Sequence, residues 1–165
     1  MSKLIKAGTQ QEIEQFLYSQ SEMLDTRKWR DWIDLFTQDG LYWMPADPAD
    51  EDGDGIPSIF YEDHYLMRTR MKRLDHPRAW SQSPAPRTSH LVSNVKLDAA
   101  ASTDKELVVR ARFHVGEIRL DKQRYFVGRY THHLVPDGKS WKIRLQRVDI
   151  LNYDAPFDYV LQVWL

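Results

Sequence analysis

The fold of this chain is decided by residues 12–45, which read EIEQFLYSQSEMLDTRKWRDWIDLFTQDGLYWMP. The first part repeats apolar residues every three or four positions, which predicts an amphipathic helix. A polar break follows, and Asp25 or Thr26 can cap a second helix there. The apolar stripe of this second helix is formed by Trp29, Trp32, Ile33 and Phe36. A turn at residues 37–40 then leads into a short aromatic strand at residues 41–44, which a proline ends.

The middle of the chain predicts a loop, a third helix and a long connection. Residues 46–58 read ADPADEDGDGIPS, and this Pro-, Gly- and Asp-rich composition predicts a mobile surface loop. Residues 59–74 return to helical spacing and predict a helix with a basic flank, formed by Arg68, Arg70, Lys72 and Arg73. Residues 76–87 contain three prolines and no periodicity, which is typical of a long connection.

The second half of the chain predicts a series of strands. The cleanest alternation runs over residues 107–115, where the odd-numbered residues are apolar and the residues between them include Arg110, Arg112 and His114. Residues 89–97 predict an earlier strand, with one apolar face formed by Leu91, Val95 and Leu97.

A hairpin is predicted at the end of this series. Its strands are residues 123–135 and 141–153, and its turn is Pro136-Asp137-Gly138. In the second strand the apolar parity runs through Leu145 and then shifts, which predicts a bulge near Gln146 and Arg147.

Helices followed by an antiparallel meander predict a single α+β domain over residues 1–165. The N-terminal helices would cover one face of a curved antiparallel or mixed sheet, giving a cone-shaped domain. Such a cone is either filled with side chains or open to a small ligand. The C-terminal segment FDYVLQVWL, residues 157–165, is too apolar for a free tail and should dock on the core or on a partner.

Composition excludes several classes of function. The chain has no cysteine, which removes disulfides, thiolate catalysis and Cys-ligated zinc or iron–sulfur clusters. Its 23 basic and 24 acidic residues create no overall field that would attract nucleic acid or a membrane surface. The sequence contains no apolar run typical of a signal peptide or a membrane span, so we expect a cytoplasmic protein.

Metal and cofactor motifs are also missing from the sequence. The acidic residues of the 46–58 loop resemble the opening of a calcium loop, but Tyr61 stands where the bidentate glutamate is needed. His132 and His133 are neighbours in a strand, so they point to opposite faces and cannot share a metal. No HExxH, GxSxG or phosphate-binding glycine motif occurs. We therefore predict no metal-binding, cofactor-binding or catalytic residue on this chain.

One enzymatic alternative stays open at this point. Cone-shaped folds can bury an Asp or His beside tyrosines and transfer protons on a bound ligand. Candidate donors and acceptors are Asp31, Tyr42, His64 and His90. No acid and base among them stand at a diagnostic spacing, which favours aromatic filling of the cone.

Three segments carry a family resemblance: FLYSQSEMLDTRKWRDWIDLFTQDGLYWMP at 16–45, RTSHLVSNVKL at 87–97 and RVDILN at 147–152. Together they resemble the beta, or small, subunit of aromatic-ring-hydroxylating dioxygenases, the Rieske non-haem iron oxygenases. The resemblance implies the SnoaL-like cone of nuclear transport factor 2, also called a cystatin-like roll. It further implies a non-catalytic structural subunit of a terminal oxygenase that degrades aromatic compounds, with a benzoate-, anthranilate- or salicylate-like aromatic acid as substrate.

The same resemblance implies how the chain works with partners. The Rieske 2Fe–2S cluster and the mononuclear iron would belong to an alpha subunit, and this chain would hold no cofactor, in agreement with its lack of cysteine. Beta subunits would form a homotrimer within an alpha3beta3 hexamer, and neither nucleic acid nor a membrane would be a partner. The alternatives are a stand-alone isomerase or dehydratase that uses Asp31, Tyr42, His64 or His90, and a protein that only binds a small ligand.

Overall fold

A computed structural model describes residues 2–6, 9–156 and 159–165 of the chain. Phe157 and Asp158, which begin the predicted C-terminal docking segment, lie outside the described residues. The described helices are α1 (Thr9–Asp25), α2 (Trp29–Ile33) and α3 (His64–Leu74), with a 3₁₀ turn at Trp80–Gln82. The described strands are β1 (Phe36–Pro45), β2 (Ser58–Glu62), β3 (Arg87–Leu97), β4 (Leu107–Arg119), β5 (Lys122–Asp137) and β6 (Ser140–Ile150).

The strands form one mixed sheet in the order β2-β1-β6-β5-β4-β3. Four strands, β3 to β6, are an antiparallel meander, whereas β1 enters beside β6 in parallel orientation. Helix α1 packs on β3, and α3 packs on β1 and β2. The predicted α+β class with helices covering a curved mixed sheet is therefore confirmed.

The first helix follows its predicted spacing, but the second differs from the prediction. Helix α2 is only five residues long, and the residue at its N-cap, Lys28, makes no side-chain capping bond. Neither Asp25 nor Thr26 caps it, because the Asp25 carboxylate binds Thr88 and His90 on β3 instead. Phe36, predicted as part of this helix, begins β1.

Residues 59–62 were predicted as the start of a helix, and together with Ser58 they are in fact strand β2. They pair antiparallel with β1, with Trp43 opposite Tyr61 and Met44 opposite Phe60. Helix α3 begins only after Asp63, whose carboxylate accepts a hydrogen bond from the Leu66 amide at 2.9 Å. The prediction was wrong because a short apolar run fits both the helical and the strand period. The strand that pairs with these residues, β1, lies on the other side of the 46–57 loop, so the local sequence does not reveal it.

Strands β3 and β6 each contain an irregularity that changes which residues face the core. In β3 the register shifts between Ser93 and Lys96, where Asn94 has a φ of 54°. Leu91 is consequently 64% exposed and does not share a face with Val95 and Leu97, contrary to the prediction.

The bulge predicted in β6 exists, but it lies earlier than expected. The register shift falls between Ile143 and Leu145, so Arg144 is the extra residue rather than Gln146 or Arg147. Gln146 is buried and Leu145 is not. The predicted position was wrong because the alternation of apolar residues does not reveal that a polar residue, Gln146, points into the core.

The predicted alternation of β4 and the predicted hairpin are confirmed. All five odd-numbered apolar residues from 107 to 115 are buried, while Arg110, Arg112 and His114 are exposed. Strands β5 and β6 pair from Asp137 and Ser140 onward, and Gly138 between them adopts a φ of 61°, which glycine tolerates best.

Aromatic rings fill the space between the helices and the sheet. Trp164, fully buried, lies 5.5 Å from the ring of Trp29 and 4.8 Å from that of Trp32. The described part of the C-terminal segment thus docks on the core, as predicted. No helix in the described part of the chain combines the length and the apolar character that a membrane crossing requires.

Candidate functional site

The four candidate acid–base residues do not form one site. Asp31 lies exposed on α2, in a cavity that contains none of the other three. The ring of His64 stands 3.3 Å from the Phe36 carbonyl oxygen. His90 lies on β3, in a separate cavity beside α1. These positions offer no shared pocket in which an acid and a base could act on one ligand.

Tyr42 is the most deeply buried of the four. Its hydroxyl donates to the carbonyl oxygen of Leu165 and accepts from the Leu165 amide, both at 3.1 Å. Burial raises the pKa of Tyr42 above its ordinary value, and the backbone of Leu165 only partly offsets this effect. The hydroxyl therefore acts as an anchor for the C-terminus and not as a proton donor.

His90 has a partner that the sequence did not indicate as such. Its ring Nδ1 lies 2.6 Å from a carboxylate oxygen of Asp25, and its amide donates to the other carboxylate oxygen at 2.9 Å. The Thr88 hydroxyl also donates to this carboxylate, at 2.9 Å. Burial alone would raise the pKa of Asp25, but the hydrogen bonds from His90 and Thr88 outweigh it and lower that pKa.

This Asp25–His90 pair adjoins a cavity of 450 Å³ between α1 and β3, lined also by Tyr18, Ser21 and Glu22. The pair joins the last residue of α1 to the sheet, and the other ring nitrogen of His90 is buried without a hydrogen-bond partner in the described part of the chain. Sequence reasoning missed Asp25 as a partner because 65 residues separate the two side chains.

A second buried polar group lies inside the cone. The Gln20 amide on α1 donates to the side-chain oxygen of Gln146 on β6, and His132 on β5 lies directly opposite Gln146. Burial lowers the pKa of His132 to about 3, and Gln146 opposes this shift only partly. His132 is therefore neutral at ordinary pH. His133 points to the other face, as predicted, with Nδ1 2.7 Å from a Glu106 carboxylate oxygen.

The sheet face opposite the helices carries the strongest cluster of charge. Arg112 on β4 and Arg129 on β5 stand directly opposite each other, and neither forms an ion pair within the residues that the structure describes. They line a cleft of 920 Å³, together with Lys96, Arg110 and Arg147. Like charges in directly opposed positions destabilise a sheet. Asp149 on β6 stands opposite Arg129 on its other side, but its carboxylate pairs with Arg147.

The acidic loop at residues 46–57 borders this cleft and is attached to the sheet. Arg147 donates to the backbone oxygens of Pro48 and Asp50 at 2.8 and 2.7 Å, and its guanidinium stacks on the Trp43 ring at 4.4 Å. Glu51 of the loop lines the cleft. The predicted surface loop is thus tethered at its first half beside the basic face.

The residue types on this chain do not fit an iron–sulfur or iron centre. A Rieske cluster needs cysteine thiolates, and the chain has none. Across residues 2–6, 9–156 and 159–165, no group of three or more His, Asp or Glu side chains is arranged to hold a metal ion.

Comparison with known proteins gives one consistent result. A family model described as the ring hydroxylating beta subunit matches residues 19–154. The small oxygenase component of the p-cumate 2,3-dioxygenase system of Pseudomonas putida is 34% identical over 143 residues, covering 86% of this chain and 72% of that protein. The anthranilate 1,2-dioxygenase small subunit of Acinetobacter baylyi is 30% identical over 154 residues, covering 89% and 93%.

A solved structure agrees with these relatives. The crystal structure of the beta subunit of benzoate 1,2-dioxygenase from Burkholderia mallei superposes with a TM-score of 0.73 at 25% identity. The alignment covers 98% of this chain and all of that one.

Proposed function

Because this chain belongs to the beta subunits of aromatic-ring-hydroxylating dioxygenases, we propose that it is the trimeric scaffold of an alpha3beta3 oxygenase acting on an aromatic acid. As a member of this family, the chain has an alpha subunit as its partner, and that subunit carries the Rieske cluster and the mononuclear iron. The relatives named for p-cumate, anthranilate and benzoate support an aromatic carboxylate as the substrate. We also propose that the chain is one domain and acts in the cytoplasm.

The filled cone is the observation that carries the scaffold role. Trp32, Trp164 and Tyr42 are among the largest fully buried side chains, and their rings pack together between the helices and the sheet. Tyr42 is in addition bound to the chain terminus. A stand-alone isomerase or dehydratase would need two of the four candidate groups in one accessible pocket, and the geometry keeps them apart.

The exposed face of the sheet supports a particular way of forming the trimer. A cyclic trimer is built from heterologous contacts, in which two different patches of the chain meet. The Arg112–Arg129 pair is one patch, and the exposed Asp52 and Asp54 of the acidic loop, which lie outside that cleft, offer the complementary charge for the next copy. A symmetric face-to-face contact would instead bring arginines against arginines, which is unfavourable.

A charge exchange tests this assembly. We expect Arg112→Glu with Arg129→Glu to convert the trimer to monomers, as measured by light scattering, because each repels the acidic loop of its neighbour. Adding Asp52→Lys and Asp54→Lys to the same chain should restore the trimer, since both patches then carry exchanged charge. The double reversal Arg30→Glu with Lys139→Glu, on other parts of the surface, is the matched control and should leave the trimer intact.

Co-expression with the alpha subunit completes the test. The wild-type complex should have the mass of six chains, with iron found only in preparations that contain alpha. A chain that never co-purifies with alpha would contradict the proposed function, whereas a trimer unaffected by Arg112→Glu with Arg129→Glu would contradict only the proposed contact.

A further inference from the structure

A second cleft, of 710 Å³, lies between α3, the connection after it and the C-terminal segment. We call it the Trp80 groove. Its walls include Trp80 from the 3₁₀ turn and Val160 from the C-terminal segment, which are 80% and 76% exposed. An exposed tryptophan beside a second exposed apolar residue is costly in water, and tryptophan is the residue type most enriched at the energetic centre of protein interfaces.

The walls of the Trp80 groove are held in place by hydrogen bonds. The Gln82 amide donates to the Gln162 side-chain oxygen at 3.0 Å, which links the connection to the C-terminal segment. The Arg119 guanidinium donates to the backbone oxygens of Trp80 and Pro84 at 3.3 and 3.1 Å. The groove is therefore a formed feature, and little ordering would be needed when a partner binds.

Its charge is basic and uncompensated. Lys72, Arg73 and Arg78 line the groove, and none of them forms an ion pair among residues 2–6, 9–156 and 159–165. Two other cations of α3 are neutralised: Arg68 lies 2.7 Å from Asp34, and Arg70, which also lines the groove, pairs with Glu62. The two α3 cations that remain, Lys72 and Arg73, both line the groove beside Arg78 of the connection after the helix.

We propose that the Trp80 groove docks an acidic segment of the alpha subunit that carries an apolar side chain, seated against Trp80 and Val160. This inference rests on the proposed function, which supplies the partner. A second copy of this chain fits less well, because its acidic loop, residues 46–57, is held to its own sheet by Arg147 and is assigned above to the Arg112–Arg129 patch of the neighbouring copy. The alpha subunit and the neighbouring beta subunit then bind at two different basic surfaces.

Binding measurements on the assembled trimer test the proposal. We expect Trp80→Ala to weaken binding of the purified alpha subunit at least about tenfold, since buried interface tryptophans commonly contribute this much. Arg73→Glu with Arg78→Glu should weaken it as well, and the remaining binding should lose most of its dependence on salt, because charge complementarity mainly sets the association rate.

Matched controls separate this result from unfolding. Tyr65→Ala removes an aromatic side chain on α3 that is 75% exposed and lies outside the groove lining, and Lys139→Glu reverses a charge in the β5–β6 turn. Both variants should bind alpha as the wild type does. Circular dichroism and the mass of the beta trimer should be unchanged in every variant. If Trp80→Ala bound the alpha subunit with wild-type affinity, the proposal would be overturned. It would also be overturned if Trp80→Ala lost the beta trimer but still bound alpha, because the groove would then be a contact between beta subunits. Failure of the wild type itself to bind alpha would instead contradict the proposed function.

Discussion

At the scale of single residues, the interior of this scaffold keeps polar groups that its proposed role does not use. His132 is completely buried, and neither ring nitrogen completes a hydrogen bond in the described part of the chain. Gln20 and Gln146 beside it are buried as well. Such a group is tolerated only in its neutral form, because a buried imidazolium would lack both water and a counter-charge.

The depressed pKa of His132 predicts a specific loss of stability in mild acid. Its pKa falls from 6.5 to about 3 on folding, so the unfolded chain binds the proton first as the pH drops. The stabilisation is complete above about pH 7.5 and declines as the pH falls through about 6.5, approaching a loss of about 1.4 kcal/mol for each further pH unit. Between about pH 7.5 and about pH 5 the free energy of unfolding should fall by about 2 kcal/mol, as measured by urea denaturation.

Substitution isolates the residue responsible. His132→Leu should flatten this pH dependence, while His114→Gln, on the exposed face of β4, should keep it. An equal slope in the wild type and in His132→Leu would show that another group titrates.

At the scale of elements, the attachment of α1 to the sheet depends on Asp25. Its carboxylate receives hydrogen bonds from the Thr88 hydroxyl and the His90 amide and contacts the His90 ring, all on β3. The apolar face of α1 packs on the same strand. Asp25, which the sequence predicted as a helix cap, therefore links α1 to β3 instead.

Removal of this carboxylate should loosen α1 selectively. We expect Asp25→Ala to lower the free energy of unfolding by about 1–3 kcal/mol, because it leaves partly buried donors of Thr88 and His90 unpaired. Hydrogen exchange should accelerate in α1 before it does in β4 and β5. Glu22→Ala, exposed on the same helix, is the control and should have little effect; similar losses in both variants would argue against the connection.

At the scale of the whole molecule, the C-terminus closes the cone. The Trp164 ring contacts Trp29 and Trp32, and its indole nitrogen donates to a Glu62 carboxylate oxygen at 3.0 Å. The Leu165 backbone is held by Tyr42. Helices, sheet and chain terminus thus meet at one aromatic cluster, which makes the interior a packed core.

Opening the cone should be costly for stability. Trp164→Ala should lower the free energy of unfolding by about 3–5 kcal/mol, the usual cost of deleting a large buried aromatic side chain. The space left should bind a small apolar probe such as benzene, detected by a rise in the melting temperature. Val160→Ala, in the same segment but exposed, should do neither. An unchanged stability of Trp164→Ala would mean that the cone is not closed by this residue.

Much of this architecture could be predicted because it depends on residue patterns within single helices, strands and turns. The period-two pattern of β4, the Asp-Gly turn of the last hairpin and the spacing of α1 each report which side of one element is buried. The absence of cysteine excluded thiolate-ligated clusters from this chain without reference to any fold. The lack of an acid and a base at a diagnostic spacing favoured a filled cone, and the resemblance of residues 16–45, 87–97 and 147–152 indicated the family.

What the sequence could not supply were the pairings between distant segments. Strand β2 is a strand because β1 lies beside it across a loop, Asp25 meets His90 across 65 residues, and Arg112 faces Arg129 only through the register of β4 and β5. The bulges at Asn94 and Arg144 likewise reassigned Leu91 and Gln146 to faces that parity did not predict. By itself the sequence determined most element types, the family and the lack of thiolate ligands. The tertiary structure decided that β2 is a strand and which side chains meet, because contacts between distant residues depend on the packing of the whole chain and give no periodic pattern within any one element.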